Sequence, residues 1–278
     1  MVEFYKSLKG YKPSLIGIGI LAILACFAIF APFIAPYDPL KGHLSSRLEP
    51  PSAAHLFGTD ALGRDLLSRV IYGARTSLRS GALVVMFSSI VGVFLGVISG
   101  YCGKLLDTLI MRFADFLLSF PPFLLAMGIV ATLGPSLNNA IIAVAISYIG
   151  PLVRLVRGIT VRIKEQEYIE AARAAGGNNW RIIIHHILPN IISPLLVQIS
   201  LNFGTAIVDI AGLSFIGLGA QPPTPEWGTI LSRGRYYIRT AWWLTTFPGL
   251  AIVATVLAWV FIGDGVREAI DPRYRKFI

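Results

Sequence analysis

Long apolar runs, separated by short polar segments, dominate the chain from end to end. One run, residues 116–153, carries no charge and is too long for a single bilayer crossing of about 20 residues. It divides at residues 134–139, where Gly, Pro, Ser and Asn predict a tight turn between two helices. The other apolar runs are residues 15–35, 80–103, 191–215 and 246–262. The pattern therefore predicts six transmembrane helices.

Composition places the chain among all-α integral membrane proteins. Of its 278 residues, 55% are hydrophobic and 14% are charged, and the mean hydropathy is +0.69, which is far from a soluble globular mix. Lys6, Lys9 and Lys12 precede the first run, as basic residues do in a signal peptide. The run is too long for a signal peptide and no Ala-x-Ala site follows it closely, so we expect an uncleaved span. Cys26 and Cys102 lie in or beside spans and predict no disulfide framework.

Lysine and arginine are distributed unequally between the two sides of the six predicted spans. With both termini in the cytoplasm, the inner segments carry 15 basic residues and the outer segments carry nine. Cytoplasmic loops normally hold the excess of basic residues, so we expect both termini to be cytoplasmic. The net charge of +9 is then better explained by contact with the anionic headgroups of membrane lipids than by nucleic acid.

The segment 168–190 is a polar interruption between two apolar spans, and it faces the cytoplasm in this topology. The spacing of one helix face relates four of its residues, Tyr168, Ala171, Ala172 and Ala175. Gly176 and the glycine after it can end this helix with a positive φ. An asparagine can cap a second short helix, and Pro189 would set the start of the following span. Periodicity alone leaves two interpretations, an amphipathic loop on the headgroups or a docking element.

The order of residues in this segment resembles a known motif. The residues Glu170-Ala171-Ala172, Gly176 and Leu188-Pro189 are similar to the EAA loop of permease subunits from binding-protein-dependent ABC importers, and His186 stands where that loop has isoleucine. Other segments resemble the C-type subunit of the dipeptide, oligopeptide and nickel group. They are HLFGTD at 55–60, GRD at 63–65, LSFIGLGAQPPTPEWG at 213–228, and GDG at 263–265 followed by Asp271-Pro272. The resemblance extends over nearly the whole chain.

This resemblance implies the type I ABC importer permease fold and a set of partners. The implied ATPase-coupling residues are Glu170, Ala171, Ala172, Gly176, Leu188 and Pro189. Implied partners are two cytoplasmic ABC ATPases, a sister permease subunit and an extracytoplasmic substrate-binding protein, in the cell membrane of a bacterium or archaeon. The chain has no phosphate loop of its own, since Leu105 follows Gly103-Lys104 where Ser or Thr is required. We therefore expect a permease subunit that is not an enzyme and binds no cofactor, with ATP and Mg on the partner ATPases.

The chain is expected to divide into two regions. Residues 1–80 would hold an N-terminal tail, the first transmembrane helix and an outer interfacial segment, and residues 81–278 the permease core with its cytoplasmic coupling loop at 157–190. An apolar stripe that begins at Leu62 predicts a helix lying across the outer face of the bundle. Docking of the binding protein there is a second hypothesis. Two i,i+4 charge pairs would support that helix, Asp60 with Arg64 and Asp65 with Arg69.

Asp209 is an acid near the middle of the fifth span. Together with Asn202 and Thr205 it forms one polar stripe on an otherwise apolar helix. An intramembrane carboxylate is expected to face the bundle or a wet cavity. Two interpretations stay open: a contact with the sister subunit, or a residue of the translocation path that meets a polar or cationic group of the substrate.

Other features predict structure rather than chemistry. Gly92, Gly96 and Gly100 form a small-residue ridge for close helix packing, and Pro121-Pro122 predicts a bend in the third span. His185 and His186 point about 100° apart on a helix, so no metal site is expected. Three tryptophans are expected at the outer headgroup level, Trp227, Trp242 and Trp243.

Several functions are consistent with these patterns. The first is an importer permease for di- or oligopeptides, and within the same class the cargo could be nickel, a nickel chelate or glutathione. The alternative class is a secondary transporter driven by an ion gradient, for which Asp115 and Asp209 are the candidate acids. No inverted internal repeat supports that class.

Overall fold

The computed structural model describes residues 12–270, and eleven α-helices occur in this part of the chain. They are α1 (Lys12–Ile29), α2 (Ala31–Ile34), α3 (Leu66–Cys102), α4 (Lys104–Leu118), α5 (Pro122–Leu133), α6 (Leu137–Lys164), α7 (Glu167–Ala174), α8 (Asn179–Ile182), α9 (Leu188–Phe215), α10 (Trp227–Gly234) and α11 (Trp243–Ile270). A π-helical turn, Ile183–Ile187, joins α8 to α9. The predicted N-terminal tail before Lys12 and the Asp271-Pro272 motif lie outside the described residues.

Six bilayer crossings can be assigned within residues 12–270. Five helical stretches are long and apolar enough to span a membrane by themselves: α1, α3, α6, the joined α8 and α9, and α11. The sixth candidate is the pair α4 and α5, which is bent by 90° at its break. The all-α class and the six predicted spans are confirmed, and one of the spans is broken.

The break between α4 and α5 lies at Pro121 and Pro122. The sequence predicts a bend here, but the structure has two separate helices at a right angle. Pro121 has φ −56° and ψ 131°, the extended conformation that a following proline imposes. Pro122 opens α5, where its missing N–H leaves no hydrogen bond unmade. With 12 residues, α5 is only about 18 Å long, so it needs the extended residues before it to cross the bilayer.

The most extensive helix contact joins α3 to α6 through the predicted glycine ridge. A Cβ added at Gly92 would lie 2.6 Å from Leu152 Cβ, and one added at Gly96 would lie 2.6 Å from Val156 Cβ. The packing role of the ridge is therefore confirmed. Both residue numbers rise together along the contact, so α3 and α6 run parallel. The chain between them must return across the membrane, which supports the broken α4–α5 pair as a crossing.

The predicted interfacial helix on the outer face is wrong. Asp65 caps α3, since its Oδ2 accepts the backbone amide of Ser68 at 2.8 Å, and the helix runs from Leu66 to Cys102 without interruption. Its 37 residues give a length of about 55 Å, well beyond the thickness of the hydrocarbon core. Leu66 and Ile71, which belong to the predicted stripe, are buried in the bundle. The part of the stripe from Leu66 onward thus continues the helix of the second span, while Leu62 lies in the turn before α3.

The two predicted charge pairs of the outer segment differ in the structure. Asp60 Oδ2 lies 2.6 Å from Arg64 Nη2, in the turn before α3. Asp65 contacts His55 Nδ1 at 2.9 Å instead of Arg69. Arg69 is directed to Asp60, with 3.6 Å between its Nε and Oδ2. A spacing of four residues can be met by a turn as well as by a helix, so the pattern alone could not distinguish the two.

Two of the three tryptophans expected at the outer headgroup level point into the bundle rather than outward. Trp227 is 0% exposed, and its indole N–H donates to Val70 O at 3.0 Å while its ring covers Gly73. Trp243 is buried as well. Trp242 is exposed. The indole rings of Trp227 and Trp243 fill the outer end of the bundle because α10 and the start of α11 fold back onto α3.

Single-cysteine labelling should report the side on which each loop lies. Ser52, Thr224 and Asn178 are all exposed, so a cysteine at any of them can react without unfolding. In a background that lacks Cys26 and Cys102, Ser52→Cys and Thr224→Cys should react with a membrane-impermeant thiol reagent in intact cells. Asn178→Cys should react only after permeabilisation. Reaction of Asn178→Cys in intact cells would invert the topology.

Candidate functional site

A two-glycine turn closes the cytoplasmic hairpin between α7 and α8. Gly176 has a φ of +85°. Its amide donates to Arg173 O at 2.9 Å, and the amide of Gly177 donates to Ala172 O at 3.0 Å. These two hydrogen bonds form a Schellman turn, which requires the positive φ that glycine adopts without strain. The predicted glycine break after the first helix is confirmed.

Asn178 begins the second arm of the hairpin. Its Oδ1 accepts the amide of Arg181 at 2.8 Å, the arrangement expected of an asparagine N-cap. The predicted cap is therefore confirmed at this residue. Because both ends of the turn are fixed by hydrogen bonds, the hairpin is a defined element rather than an irregular loop.

The two faces of α7 differ in exposure. Ile169 is 0% exposed and points into the protein. Ala172 is half-buried, while Glu170 and the remaining residues of the predicted tyrosine and alanine face are open to solvent. The exposed residues are Tyr168, Glu170, Ala171 and Ala175. The predicted face of tyrosine and alanine is therefore largely uncovered in the isolated chain and can receive another surface.

An isoleucine-rich cluster attaches the hairpin to the bundle. Ile169 from α7 and Ile182 from α8 pack with buried residues at the cytoplasmic ends of α3 and α6. The buried members are Val97, Tyr101, Val156, Ile163, Ile169, Ile182, Ile187 and Ile191. Burial of a side chain of this size contributes about 1.5–3 kcal/mol, so several such contacts hold the hairpin firmly. The cluster thus connects α7 to α3, α6 and α9.

Polar contacts converge on Tyr101 at the same place. Its hydroxyl donates to Asn179 Oδ1 at 2.7 Å, and Lys164 Nζ donates to its carbonyl at 2.6 Å. The guanidinium of Arg173 lies 5.7 Å from the centre of its ring. Sequence reasoning missed Tyr101, because its partners are 63 and 78 residues away along the chain. Its position at the end of the second span was the one available signal.

Leu188 and Pro189 lie where the hairpin becomes the fifth span. The helical path continues from α8 through Ile183–Ile187 into α9, and the amide of Leu188 donates five residues back to the first residue of that turn. Pro189 lies in the first turn of α9, as predicted, but no loop separates it from α8. The side-chain Nδ2 of Asn190 donates a hydrogen bond to His186 O at 2.6 Å. The wider π turn thus accommodates a proline that cannot donate.

Asp209 has a hydrogen-bond partner within its own chain. Tyr148, a buried residue of α6, donates its hydroxyl to Asp209 Oδ2 at 2.7 Å. The two other residues of the predicted stripe do not bond to Asp209 in the described chain. Asn202 accepts from Gln198 at 2.8 Å, and Thr205 donates to backbone carbonyls of its own helix. The stripe therefore shares a helix side without forming one hydrogen-bonded unit.

Ion pairs connect α4 to the cytoplasmic half of α6. Asp115, which the sequence marks as a candidate acid, lies 2.6 Å from Arg154 Nη2. Asp107 accepts two hydrogen bonds from Arg157, one of them at 2.7 Å. This bidentate pair was not predicted, since its partners are 50 residues apart. Both pairs hold α4 against α6.

Within residues 12–270, no three His, Cys, Asp or Glu side chains are grouped as a metal site. His185 is exposed and directs its Nδ1 to Arg181 O at 3.1 Å. His186, the residue that departs from the EAA pattern, is half-buried and its ring lies 6.1 Å from the ring of Tyr168. The histidine that replaces the isoleucine of the EAA pattern therefore packs between α7 and the π turn.

Two family models match the chain. The model of the binding-protein-dependent transport system inner membrane component covers residues 92–276, and that of the N-terminal TM domain of oligopeptide transport permease C covers residues 1–51. One relative is the dipeptide transport system permease protein DppC of Alkalihalophilus pseudofirmus, 48% identical over 99% of this chain and 90% of the relative. Another is the di/tripeptide transport system permease protein DppC of Pseudomonas aeruginosa, 45% identical over 99% of this chain and 92% of the relative.

Solved structures share the fold. An inward-facing structure of the MetNI methionine ABC transporter matches with a TM-score of 0.59 at 20% identity, over 74% of this chain and 98% of that chain. An amino acid ABC transporter matches with a TM-score of 0.52 at 17% identity, over 76% of this chain and 95% of that chain. At these identities the likeness is one of fold alone. With the family matches, it shows that the chain belongs to the inner membrane components of binding-protein-dependent transport systems, as a C-type permease subunit of an ABC importer.

Proposed function

We propose that this chain is one of two different permease subunits that form the pore of a di- and oligopeptide importer. The chain works with ATPase and substrate-binding partners, as permeases of this family do. In the proposed assembly there are two ATPases, a sister permease and one extracytoplasmic binding protein. The peptide cargo is supported by the relatives, which are named for dipeptide and di/tripeptide transport.

The observation that carries this proposal is the geometry of the hairpin. Its outer face exposes small side chains, its turn is fixed by Gly176, and its inner face packs against the bundle through the buried Ile169. A hairpin with small side chains on its outer face and tight packing on its inner face is suited to transmit a displacement rather than to bind a small molecule. In this assembly Glu170, Ala171 and neighbouring residues contact an ATPase.

Motion would pass from the ATPase through this hairpin into the spans. ATP and Mg are held by the partner ATPases, so this chain supplies no group to the hydrolysis. The isoleucine cluster and the contacts of Tyr101 connect α7 to α3 and α6. The π turn connects the same hairpin to α9, the helix that carries Asp209. Closure of the ATPases would therefore move the helices that flank the proposed pore.

Reconstitution of the complete importer tests the proposal. Vesicles that contain this chain, its sister permease and two ATPases should take up a labelled dipeptide when the binding protein and ATP are supplied. Uptake should not respond to an imposed ion gradient. Transport by this chain alone, driven by a gradient, would contradict the proposal. Uptake of a nickel chelate in place of the dipeptide would support the proposed importer assembly but contradict the proposed peptide cargo.

Asp209 is proposed to lie on the translocation path, with Asn202 and Thr205 on the same side of α9. Because Tyr148 already supplies a partner within the chain, the carboxylate does not require the sister subunit for its hydrogen bonding. Asp209→Asn keeps the size and removes the charge. We expect this variant to assemble and hydrolyse ATP but to lose at least about tenfold in uptake, the worth of one charge-assisted hydrogen bond.

Tyr148→Phe is the matched control for Asp209→Asn. It removes the hydrogen bond within the chain and leaves the carboxylate in place. Uptake close to the unaltered level in Tyr148→Phe, with a loss in Asp209→Asn, assigns the effect to charge. Normal uptake by Asp209→Asn would exclude a role for this charge in translocation, and failure to assemble would favour the subunit interface.

A further inference from the structure

A cationic cavity opens on the outer side of the protein, apart from the hairpin and from Asp209. It lies where the turn before α3 meets α10 and the start of α11, and its volume is about 230 Å³. Arg64, Arg69 and Arg233 line it, and Asp60 is the one acid among the lining residues of the described chain. Three positive charges thus meet a single negative charge.

Arg69 has unused hydrogen-bonding capacity. The residue is 2% exposed, and its one side-chain hydrogen bond within residues 12–270 goes from Nη1 to Pro39 O at 2.8 Å. A guanidinium has five N–H donors. Its Nε lies 3.6 Å from Asp60 Oδ2, which is beyond hydrogen-bond distance. Arg69 also lines the cavity, so an acceptor that enters the cavity can hydrogen-bond the donors that this chain does not use.

Asp60 cannot supply that acceptor because its oxygens are already occupied. Oδ1 accepts the backbone amides of Leu62 at 2.8 Å and Arg64 at 3.0 Å. Oδ2 accepts Nε of Arg64 at 2.7 Å and lies 2.6 Å from its Nη2. Asp60 therefore hydrogen-bonds Arg64 and holds the turn, and it meets Arg69 only through the longer ion pair of 3.6 Å, so the two arginines share one carboxylate.

The walls and rim of the cavity indicate the kind of partner. Ile230 and Leu244 supply apolar walls beside the guanidinium, and the exposed Arg233 stands at the opening. A bare inorganic anion would leave the apolar walls uncovered. A carboxylate on a carbon chain would satisfy both the arginines, which bind its two oxygens in a fork, and the walls.

We propose that this cavity is a carboxylate-binding site on the extracytoplasmic side, with Arg69 at its base and Arg233 at its rim. The carboxylate belongs either to the C-terminus of a free peptide or to an acidic side chain of the substrate-binding protein. The second source rests on the proposed function, because it requires the binding-protein partner. The charge and shape of the cavity do not depend on it.

A cysteine inside the cavity can report its occupancy. Ala61 lines the cavity and is half-buried, so Ala61→Cys in a background without Cys26 and Cys102 should be alkylated slowly but measurably. The complete importer in lipid nanodiscs is treated with N-acetyl-dialanine, with its C-terminal amide, or with the binding protein. Protection by the free acid but not the amide identifies a peptide carboxylate. Protection by the binding protein alone identifies an acidic side chain of that partner.

Two charge reversals separate the site from general surface charge. Arg233→Glu alters the rim, while Arg235→Glu makes the same change at an exposed residue that does not line the cavity. Neither arginine is in the buried network of Asp60, so both variants should fold. We expect protection to weaken at least about tenfold in Arg233→Glu and to persist in Arg235→Glu.

Several results would overturn the proposal. These are no protection by any probe, equal protection by acid and amide without an effect of the binding protein, or equal losses in the two arginine variants. ATP-driven dipeptide uptake by the unaltered importer is measured in parallel. If that uptake is absent while protection by the acid is present, the proposed cargo fails and the carboxylate site stands.

Discussion

Replacing Gly96 with leucine is expected to abolish the accumulation of folded permease in the membrane. A Cβ at this position would lie 2.6 Å from Val156 Cβ and 2.9 Å from Val153 O. Neither atom can move unless α6 moves as a whole, and Gly92 and Gly100 make equally close contacts along the same ridge. Overpacking a tight interior costs about 1–3 kcal/mol or more. Membrane levels of the assembled complex should fall at least about tenfold.

Two variants control for the change itself. Gly19→Leu introduces the same side chain into α1, where nothing lies within 4 Å of an added Cβ, and it should accumulate normally. Gly96→Ala combined with Val156→Gly adds one methyl group on α3 and removes the valine side chain that it would meet on α6, so it should restore part of the loss seen with Gly96→Ala alone. Normal levels of Gly96→Leu would show that α3 and α6 are not packed as described.

Replacing Ala171 with tryptophan is expected to uncouple ATP hydrolysis from transport while the permease pair stays intact. Ala171 is exposed on the face of α7 that is proposed to seat in an ATPase, so a large side chain there can extend into solvent in the isolated chain. Ala172 is half-buried, and a tryptophan at that position would disturb docking and folding together. We expect Ala171→Trp to reduce substrate-stimulated ATPase activity and ATPase retention at least about tenfold, as measured on purified complexes.

Ala174→Trp is the matched control on the same helix. Ala174 is also exposed, but its side chain lies about 110° from the centre of the tyrosine and alanine face, at 100° per residue. It should retain most of the ATPase stimulation. Equal losses in both variants would mean that the whole helix is enclosed by its partner, and full activity in Ala171→Trp would reject the docking role of this face.

Local sequence signals were sufficient wherever one residue type determines one conformation. Gly176 follows an alanine-rich helix and adopts a positive φ, and Asn178 caps the next helix through its own side chain. Both features depend on hydrogen bonds that span only a few residues. For the same reason the glycine ridge could be recognised in advance, since Gly92 and Gly96 recur on one helix face.

Local signals failed where a pattern is compatible with two structures. The charges at Asp60 and Arg64 pair in a turn just as they would on a helix, so their spacing suggested a helix that does not exist. In the structure, Asp65 marks the start of α3 directly, because its side chain caps the helix. Trp227 shows a similar ambiguity, since an aromatic residue in an outer loop can face the headgroups or fill a gap between helices.

The sequence by itself determined the membrane class, the spans and the hairpin of α7 and α8, because hydropathy, turn residues and caps act over short distances. Only the tertiary structure decided which side chains meet. Tyr101 with Asn179, Tyr148 with Asp209, and the cavity around Arg69 all join residues from separate helices or loops. Such contacts depend on the orientation of each helix about its own axis. That orientation is set by packing against neighbours such as the glycine ridge, which no local pattern specifies completely.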